Sequence, residues 1–512
     1  MHTSRRDFLA RLSAFGLALA GIPRLPVLVR PRFAANPFSL GVGSGDPIPD
    51  GVVLWSRLAP DPLNGGGMGP EAVNVRWEVA TDQAMRNIVR RGTTVARPDL
   101  GHSIHAEVGG LRPAAWYWYR FDAGGEASAV GRTRTAPASN ATPDRFRFAF
   151  VSCQHYEQGL YTAHEHLARE DVELVAHLGD YIYEGATNAA ATPVRRHQEW
   201  EPATLEQYRN RYALYKTDPA LQAAHAAFPW LVTWDDHEVD NNYAGAVPAD
   251  GMAREPFLVR RAAAYQAYYE HQPLRKASIP KGPDMLLYRT LNAGRLARFH
   301  VLDTRQYRSD QSCGDGIRPA CTEWSDADRV VLGDTQERWL TRGVDQSQAR
   351  WNVLAQQIAF SRVPDPRRPE LHPMDPWSGY PAARDRLLAW MAERQRKNLV
   401  VLTGDIHASF VMDVTRDALQ PESPTIATEF IGTSISSGGD GFDRWGQLTN
   451  YETAVPNMKY HSARRGYVRC ELTADRWTTD YRTVPYVRTA GAPVQTAATW
   501  VVENGKPGAE KA

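Results

Sequence analysis

The chain has 512 residues, which is more than one simple core accommodates and favours two domains. A hydrophobic content of 43% and a charged content of 23% are typical of a soluble globular protein. With a net charge of +1, the chain has no excess of positive charge that would attract nucleic acid or an anionic membrane.

The N-terminal segment has the pattern of an export signal. Arg5 and Arg6 precede a short apolar run over 12–22, and twin arginines before such a run are typical of a Tat-type leader. The run is too short to span a bilayer, and no other segment is long and apolar enough. We predict a signal peptide over 1–35, cleaved near 18–20 or near 34–35. It would pass the folded, metal-loaded protein to the Tat export machinery and so to the periplasm or the medium.

Residues 36–138 are predicted to form a small all-β domain. Apolar and polar residues alternate over 73–80, which indicates a half-buried strand. The turn at Leu111 and Pro113 is followed by alternating aromatic residues, and it resembles the tyrosine-corner strand of fibronectin-like sandwiches. A linker rich in proline, serine and small residues is expected over 136–143.

The rest of the chain, 139–512, alternates apolar strands with amphipathic helices, which predicts a layered α/β domain. Strands are expected at 147–152, 172–178, 228–234, 298–302, 351–357 and 399–403. Helices are expected at 160–170, 201–229 and 256–271, and the region 425–487 is expected to be mostly β.

Side chains with metal-binding chemistry follow four of these strands. They are Cys153; Asp180 with Tyr183; Asp235, Asp236 and His237; and Asp405 with His407. Each set alone is equally explained by a capped turn or by a hydrogen-bonded histidine. Because the carboxyl ends of strands in a layered sheet meet at one rim, four such sets together predict one shared site.

The donor types predict a two-metal hydrolase. Such a site holds two cations about 3.5–4 Å apart with a carboxylate between them, and Asp180 is the expected bridge. A hard, highly charged metal such as iron would be bound by Tyr183 together with Cys153 and His407.

The second metal would be bound by Asp236 and Asp405. An oxygen-only site favours calcium, magnesium or manganese over zinc. A water bridging both metals would ionise near neutral pH and attack phosphorus in line. His237 would act as an acid or as a donor to a phosphoryl oxygen, and Arg305 would neutralise equatorial oxygens with its guanidinium fork.

The four cysteines divide into one pair and two single residues. Cys313 and Cys321 lie in a glycine-containing loop that can bend back, so they are the expected disulfide in an oxidising compartment. Cys153 and Cys470 remain. A buried, unreactive thiol is the ordinary expectation for each, except that Cys153 follows a strand in the predicted site.

Three blocks resemble the signature motifs of the calcineurin-like metallophosphoesterases. They are Gly-Asp-x-x-Tyr at 179–183, Asp-Asp-His-Glu at 235–238 and Gly-Asp-x-His at 404–407. Ser-Cys-Gln at 152–154, Trp-Asp-Asp-His-Glu at 234–238 and the twin-arginine leader narrow the resemblance to secreted phosphatases and phosphodiesterases of the alkaline phosphatase D (PhoD) type. The resemblance extends over most of the mature chain, from 41 to 467.

The resemblance implies an N-terminal β-sandwich, a catalytic β-sandwich flanked by helices, and a site for ferric iron and calcium. Cys153, Asp236 and Asp405 stand where the general pattern has Asp, Asn and His. Together these exchanges shift the second site toward oxygen, as calcium requires. A further ligand histidine of the general pattern has no clear match, and its possible substitutes are Gln356, Gln357 and Asn241.

The implied substrates are small phosphate mono- and diesters, with phospholipids and polymeric phosphodiesters as further candidates, and the expected enzyme is a monomer. A phospholipase-D-like phosphodiesterase acting on lipid head groups shares these motifs and stays open as an alternative. A non-catalytic exported binding protein, with the β domain as adhesin, is the third reading.

Overall fold

The structure is a computed structural model that describes residues 32–187, 192–363, 367–394, 397–418, 420, 422–444 and 455–512. Most of the predicted signal peptide therefore lies outside the described residues. In the part of the chain described, no helix combines the length and the apolar character needed to cross a membrane.

The N-terminal region is all-β, as predicted. Its strands are β1 (Val42–Ile48), β2 (Gly51–Arg57), β3 (Val73–Ala80), β4 (Ile88–Ala96), β5 (Ser103–Val108), β6 (Trp116–Ala123), β7 (Glu126–Ala127) and β8 (Gly131–Arg134). One layer has the order β5-β2-β1 and the other β4-β3-β6, with β7 and β8 both paired to β6. The expected tyrosine corner is present, since the Tyr117 hydroxyl accepts a hydrogen bond from the Arg112 amide at 2.9 Å.

The first layer of this region continues into the α/β domain. Strand β1 pairs in parallel with β11 (Pro229–Thr233), with Ser44 opposite Pro229 and Gly45 opposite Trp230. A Cβ at Gly45 would lie 2.6 Å from the carbonyl oxygens of Trp230 and Pro273, so only glycine permits this approach. The two regions therefore share one hydrogen-bonded sheet rather than being joined only through a linker.

The α/β domain is a sandwich of two sheets. The first has the order β1-β11-β10-β9-β21-β22-β23-β24 and the second β12-β13-β15-β17-β19-β18-β21. The strands are β9 (Phe146–Val151), β10 (Leu174–Leu178), β12 (Arg289–Ala293), β13 (Ala297–Val301), β15 (Trp351–Ala355), β17 (Leu399–Thr403), β18 (Ser409–Thr415), β19 (Thr425–Ile431), β21 (Met458–Leu472), β22 (Arg476–Val484), β23 (Gln495–Glu503) and β24 (Glu510–Lys511). Strand β21 belongs to both sheets. Its first half pairs with β18, and its second half pairs with β9 and β22.

Helices cover both outer faces of the sandwich, and aromatic residues fill its interior. The helices are α1 (Thr162–Leu167), α2 (Leu205–Lys216), α3 (Pro219–Ala227), α4 (Arg254–His271), α5 (Gly333–Asp345) and α6 (Pro381–Arg394). Single 3₁₀ turns occur at Pro98–Leu100, Tyr156–Gln158, Lys276–Ser278, Thr322–Ser325 and Trp377–Gly379. Between the sheets, the rings of Phe148 and Phe299 meet edge to face with centroids 5.0 Å apart. The predicted sandwich flanked by helices and preceded by an all-β domain is confirmed.

One predicted helix is wrong in its extent. The pattern over 201–229 predicted a single helix, but the structure has α2 and α3 with a break between them. The Asp218 carboxylate accepts from the amides of Ala220 and Leu221, and Pro219 occupies the first position of α3. A side-chain cap followed by proline begins a new helix, because proline lacks the amide hydrogen that would continue the old one.

The cysteines pair as expected. Cys313 and Cys321 form a disulfide with Cα atoms 5.7 Å apart, whereas Cys153 and Cys470 are free and buried. The disulfide loop carries β14 (Ile317–Pro319), which pairs with β16 (Leu371–Pro373), and β20 (Gly441–Phe442) pairs with β21.

Candidate metal centre

The four sets of polar side chains after strands converge at one rim of the sandwich. They follow β9, β10 and β11 in the first sheet and β17 in the second. Three groups have ligand atoms within 4.8 Å of one another, namely Cys153 with Asp180 and His407; Asp180 with Asp236 and His237; and Asp235 with Asp236 and Asp405. The groups share Asp180 and Asp236, so they form one continuous cluster.

Four of these residues have left-handed backbone conformations. The φ angles are 59° at Cys153, 58° at Asp180, 62° at Asp405 and 60° at His407. Side chains other than glycine rarely adopt this region, and such strain persists only where surrounding structure holds it. Here the Cys153 amide donates to the Gly179 carbonyl at 3.1 Å, which ties the turn after β9 to the turn after β10.

Glu238 joins two of the ligand-bearing turns. Its carboxylate accepts from the amides of Asp180 at 3.2 Å, Tyr181 at 2.5 Å and Asp235 at 2.8 Å. Burial and the nearby Asp180 raise the pKa of Glu238 to about 8. The hydrogen bonds from the three amides act in the opposite direction but are outweighed. Gly179 lets the turns approach, because a Cβ there would lie 2.4 Å from the Cβ of Asp235.

Tyr183 is the centre of the first side of the cluster, which we call the mixed-donor side and define as Cys153, Asp180, Tyr183 and His407. Its hydroxyl donates to Asp180 Oδ2 at 2.7 Å and lies 3.0 Å from His407 Nε2. Ser437, in the loop after β19, contacts the same hydroxyl through its Oγ at 2.8 Å. Burial and the charge of Asp180 raise the pKa of both Cys153 and Tyr183 well above their ordinary values. A metal cation is what would favour their anionic forms here.

The second side, which we call the carboxylate side, consists of Asp235, Asp236 and Asp405. Burial and like charges raise the pKa of Asp405 to about 8 and raise that of Asp235 well above its usual range. Burial also opposes ionisation of Asp236, but Arg305 and His237 outweigh it and lower its pKa. Carboxylates packed this closely carry a charge that one arginine does not offset, so the cluster suits a cation.

Arg305 occupies a different position from the one expected of a group that contacts substrate. It is fully buried, its Nε donates to Asp235 Oδ1 at 2.5 Å, and its two Nη atoms donate to the Asp375 carboxylate at 2.7 and 2.9 Å. The fork is therefore already occupied by protein carboxylates. These contacts orient the carboxylate side.

His237 is paired with a carboxylate that sequence reasoning did not select. Its Nδ1 lies 2.7 Å from Glu184 Oε2, and about a fifth of its side chain is exposed. Burial disfavours the charged ring, but Glu184 together with Asp236 and Asp180 outweighs it and raises the pKa of His237 well above its ordinary value. A protonated imidazole with one edge fixed by Glu184 can donate from the other edge.

Several carboxylate oxygens of the cluster have no hydrogen-bond partner, and this supports a metal centre. Asp180 Oδ1, Asp235 Oδ2 and Asp236 Oδ1 are buried and have no hydrogen-bond partner. Buried acceptors are normally satisfied, and an ion is one of the few partners that would satisfy several at once. Oxygen atoms on one side, with a thiol, a phenol and an imidazole on the other, supply ligands for two different cations.

Three residues were considered as substitutes for the missing histidine ligand. Two of them are hydrogen-bonded to other parts of the protein, and nothing in the structure supports the third as a ligand. Gln356 donates to Thr403 Oγ1 at 2.7 Å and accepts from the Trp377 indole at 3.1 Å. Gln357 joins the ends of β11, β13 and β15 by hydrogen bonds of 2.6–3.2 Å. Asn241 is exposed, and its backbone N–H donates to Glu184 Oε1 at 2.8 Å.

Four functional residues were missed by sequence reasoning: Glu184, Glu238, Asp375 and Ser437. The two glutamates lie within or beside the recognised motifs, at 179–184 and 235–238, so the motifs themselves were a signal. Ser437 lies inside the region 425–487, which was predicted only as mostly β, so no predicted strand end marked it. Asp375 lies between β16 and α6 in a loop without metal-ligand spacing, and no sequence signal marked it.

A rim of carboxylates, imidazoles and a thiol on a helix-flanked sandwich defines a metal-dependent hydrolase. The sequence pattern of the PhoD-like phosphatase family matches residues 148–481, and that of its N-terminal domain matches residues 24–137. The chain belongs to this family and is a phosphoric ester hydrolase. The reading as a non-catalytic binding protein is therefore wrong.

Two relatives support the family assignment over nearly the whole chain. Alkaline phosphatase D of Bacillus subtilis (strain 168) is 49% identical over 503 residues, which cover 97% of this chain and 86% of that protein. A solved structure described as the structure of PhoD is 50% identical and superposes with a TM-score of 0.92, covering 94% of this chain and 93% of that one.

Proposed function

We propose that this protein is an exported phosphoesterase that hydrolyses phosphate mono- and diesters with two unlike metals, ferric iron and calcium. The observation that carries the proposal is the shared cluster. Asp180 and Asp236 connect the mixed-donor side to the carboxylate side, and the ligand atoms of each group lie within 4.8 Å of one another.

The two sides differ in donor chemistry, and this difference supports a different metal at each. Cys153, Tyr183 and His407 would hold ferric iron with Asp180, because phenolate and carboxylate oxygens suit a hard, highly charged ion. Asp236 and Asp405 would hold calcium, which takes oxygen ligands. Asp180 belongs to two of the three groups and is the proposed bridge.

When bound, such metals supply Lewis acidity and lower the pKa of water at the site, as attack on phosphorus requires. The chain contributes the proton donor. With Nδ1 of His237 fixed by Glu184 at 2.7 Å, Nε2 can donate to a leaving-group or phosphoryl oxygen. Arg305, whose donors bind Asp235 and Asp375, is proposed as a positioning residue instead of a substrate contact.

The domain limits and the destination are part of the proposal. We propose a Tat-type signal over 1–35, an N-terminal β-sandwich over 36–138 and a catalytic domain over 139–512, acting as a monomer in the periplasm or the medium. The Cys313–Cys321 disulfide supports an oxidising compartment, because such bonds persist outside the cytosol.

A soluble diester tests the reaction directly. Release of nitrophenol from bis(nitrophenyl) phosphate should be lost after chelation and in the Asp180→Ala variant. The control is Asp99→Ala, which removes an exposed carboxylate of the N-terminal domain and should retain wild-type activity. Full activity of a metal-free preparation would contradict the proposal. Faster hydrolysis of phosphatidylcholine than of a soluble monoester would instead favour the phospholipase-D-like alternative.

A further inference from the structure

Arg465 is a buried cation behind the mixed-donor side. It lies in β21, where the strand passes from one sheet to the other, and only 3% of its surface is exposed. Among the described residues, no carboxylate lies within ion-pair distance of its guanidinium, whereas the buried Arg260, Arg305 and Arg308 each pair with an acid. A buried charge is costly unless something compensates it, so its surroundings have to explain it.

The guanidinium contacts the turn that carries His407. Its Nη1 donates to the His407 carbonyl at 2.6 Å and to Ser434 Oγ at 2.5 Å. His407 has a φ of 60°, so this contact holds a strained turn in place. The backbone is shaped around the arginine, because a Cβ at Gly441 would lie 2.7 Å from its Nε.

The guanidinium is connected to the mixed-donor side through two serines. Ser434 Oγ, which accepts from Arg465 Nη1, donates to the Ser437 carbonyl at 2.7 Å, and Ser437 Oγ contacts the Tyr183 hydroxyl at 2.8 Å. Burial lowers the pKa of Arg465 to about 10, and its interaction with Cys153 and Tyr183 acts in the opposite direction. The Arg465 Nε is buried and has no hydrogen-bond partner. The positive charge is therefore connected to the Tyr183 hydroxyl by two serines, and no carboxylate of the described residues pairs with it.

We propose that Arg465 is a positioning residue that fixes the His407 turn and, through Ser434 and Ser437, places a positive charge behind the Tyr183 and Cys153 side of the site. With a metal bound, this charge would stabilise the electron pairs of the thiolate and the phenolate and so lower the energy of the ligand orbitals. The inference rests on the proposed binding of a metal by Cys153, Tyr183 and His407.

Three variants separate charge from packing. Arg465→Met removes the charge and keeps most of the volume, and Arg465→Lys keeps the charge. Arg464→Met is the matched control, because the neighbouring Arg464 is part-exposed and pairs with Asp443 at 2.7 Å. Each protein is purified with its native metal, and the measured quantities are metal content, the ligand-to-metal absorption band and the midpoint reduction potential.

Arg465→Met should shift the band to longer wavelength and lower the midpoint potential, since the ligand electron pairs rise in energy when the cation is removed. Arg465→Lys and Arg464→Met should keep both quantities at wild-type values. A metal-loaded Arg465→Met with an unshifted band would overturn the inference. If that variant does not fold, a Lys variant with a shifted band overturns it, and one with an unshifted band but reduced thermal stability supports it.

The first measurement distinguishes this inference from the proposed function. A wild-type protein that binds no metal through Cys153 and Tyr183 contradicts the metal assignment itself, before any variant is compared. A wild-type band that is present, and that responds equally to Arg464→Met and Arg465→Met, contradicts only the role of Arg465.

Discussion

The two sides of the cluster lie on one rim but are built by opposite means. On the mixed-donor side, the Tyr183 hydroxyl links Asp180, His407 and Ser437 through direct contacts of 2.7–3.0 Å. On the carboxylate side, Asp235 and Asp236 surround Arg305, whose remaining donors bind Asp375. One side thus presents four chemically different donors, and the other presents repeated carboxylates held by a structural cation.

The difference teaches how one rim can offer two unlike sets of donors, which is what the proposed pair of metals requires. Geometry at both sides comes from strand ends and left-handed turns, so donor identity alone distinguishes them. On both sides burial opposes ionisation, because it raises the pKa of Cys153 and Tyr183 on one side and of Asp405, to about 8, on the other. Metal affinity at each side should therefore increase as the pH rises toward these values.

Removing the proposed bridging residue should have the largest effect. Asp180→Asn keeps the shape and tolerates the left-handed turn but removes the bridging charge. We expect activity to fall about a thousandfold, equivalent to about 4 kcal/mol, with loss of both metals. Activity assays and elemental analysis check this. Retention of either metal at the wild-type level would show that Asp180 is not shared.

Changing the mixed-donor side alone should leave the carboxylate side intact. Cys153→Ser removes the sulfur ligand, and we expect loss or a strong shift of the visible band and about a hundredfold lower activity, with calcium retained. The matched control is Cys470→Ser, the other free and buried cysteine, in β21 near Thr479 Oγ1. That control should keep the band. An unchanged band in Cys153→Ser would remove this residue from the ligand set.

Asp405→Asn changes the carboxylate side and leaves the mixed-donor side intact. Asparagine tolerates the φ of 62° at this position, so the loss is mainly one of charge. We expect calcium affinity to fall, activity to decrease about tenfold to a hundredfold, and added calcium to restore part of it, while the iron band stays in place. Titration of activity with calcium measures this. A shifted band with unaltered calcium dependence would reverse the assignment of the two sides.

The smallest expected effect belongs to a residue outside both sides. Glu184→Gln keeps a hydrogen bond to His237 Nδ1 but removes the charge that raises the pKa of the ring. We expect about tenfold lower turnover with both metals retained, and the alkaline limb of the pH profile should move to lower pH, because His237 then loses its proton earlier. A pH profile of wild-type shape would assign His237 a role other than proton donation.

The sequence predicted the rim well because its signal is local. An apolar strand followed directly by Cys153, Asp180, Asp236 or Asp405 is visible in a few consecutive residues. The partners of Arg305 are not visible in this way, since Asp235 and Asp375 each lie 70 residues away along the chain. An arginine after a strand is equally consistent with a substrate contact, and only the tertiary structure distinguishes the two.

Long-range pairing also explains what was missed in the fold. The parallel alignment of β1 with β11 joins residues nearly 190 positions apart, so the all-β region looked separate in sequence although its sheet is continuous with the catalytic one. The break before α3, by contrast, had a local signal in Asp218 and Pro219 that the helical spacing over 201–229 obscured.

The central claim is that two unlike metals share Asp180, and elemental analysis of active protein exported through its own leader, combined with its absorption spectrum, tests it most directly. We predict that iron and calcium copurify and that a visible charge-transfer band disappears in Cys153→Ser. A colourless, fully active enzyme without iron would contradict the account.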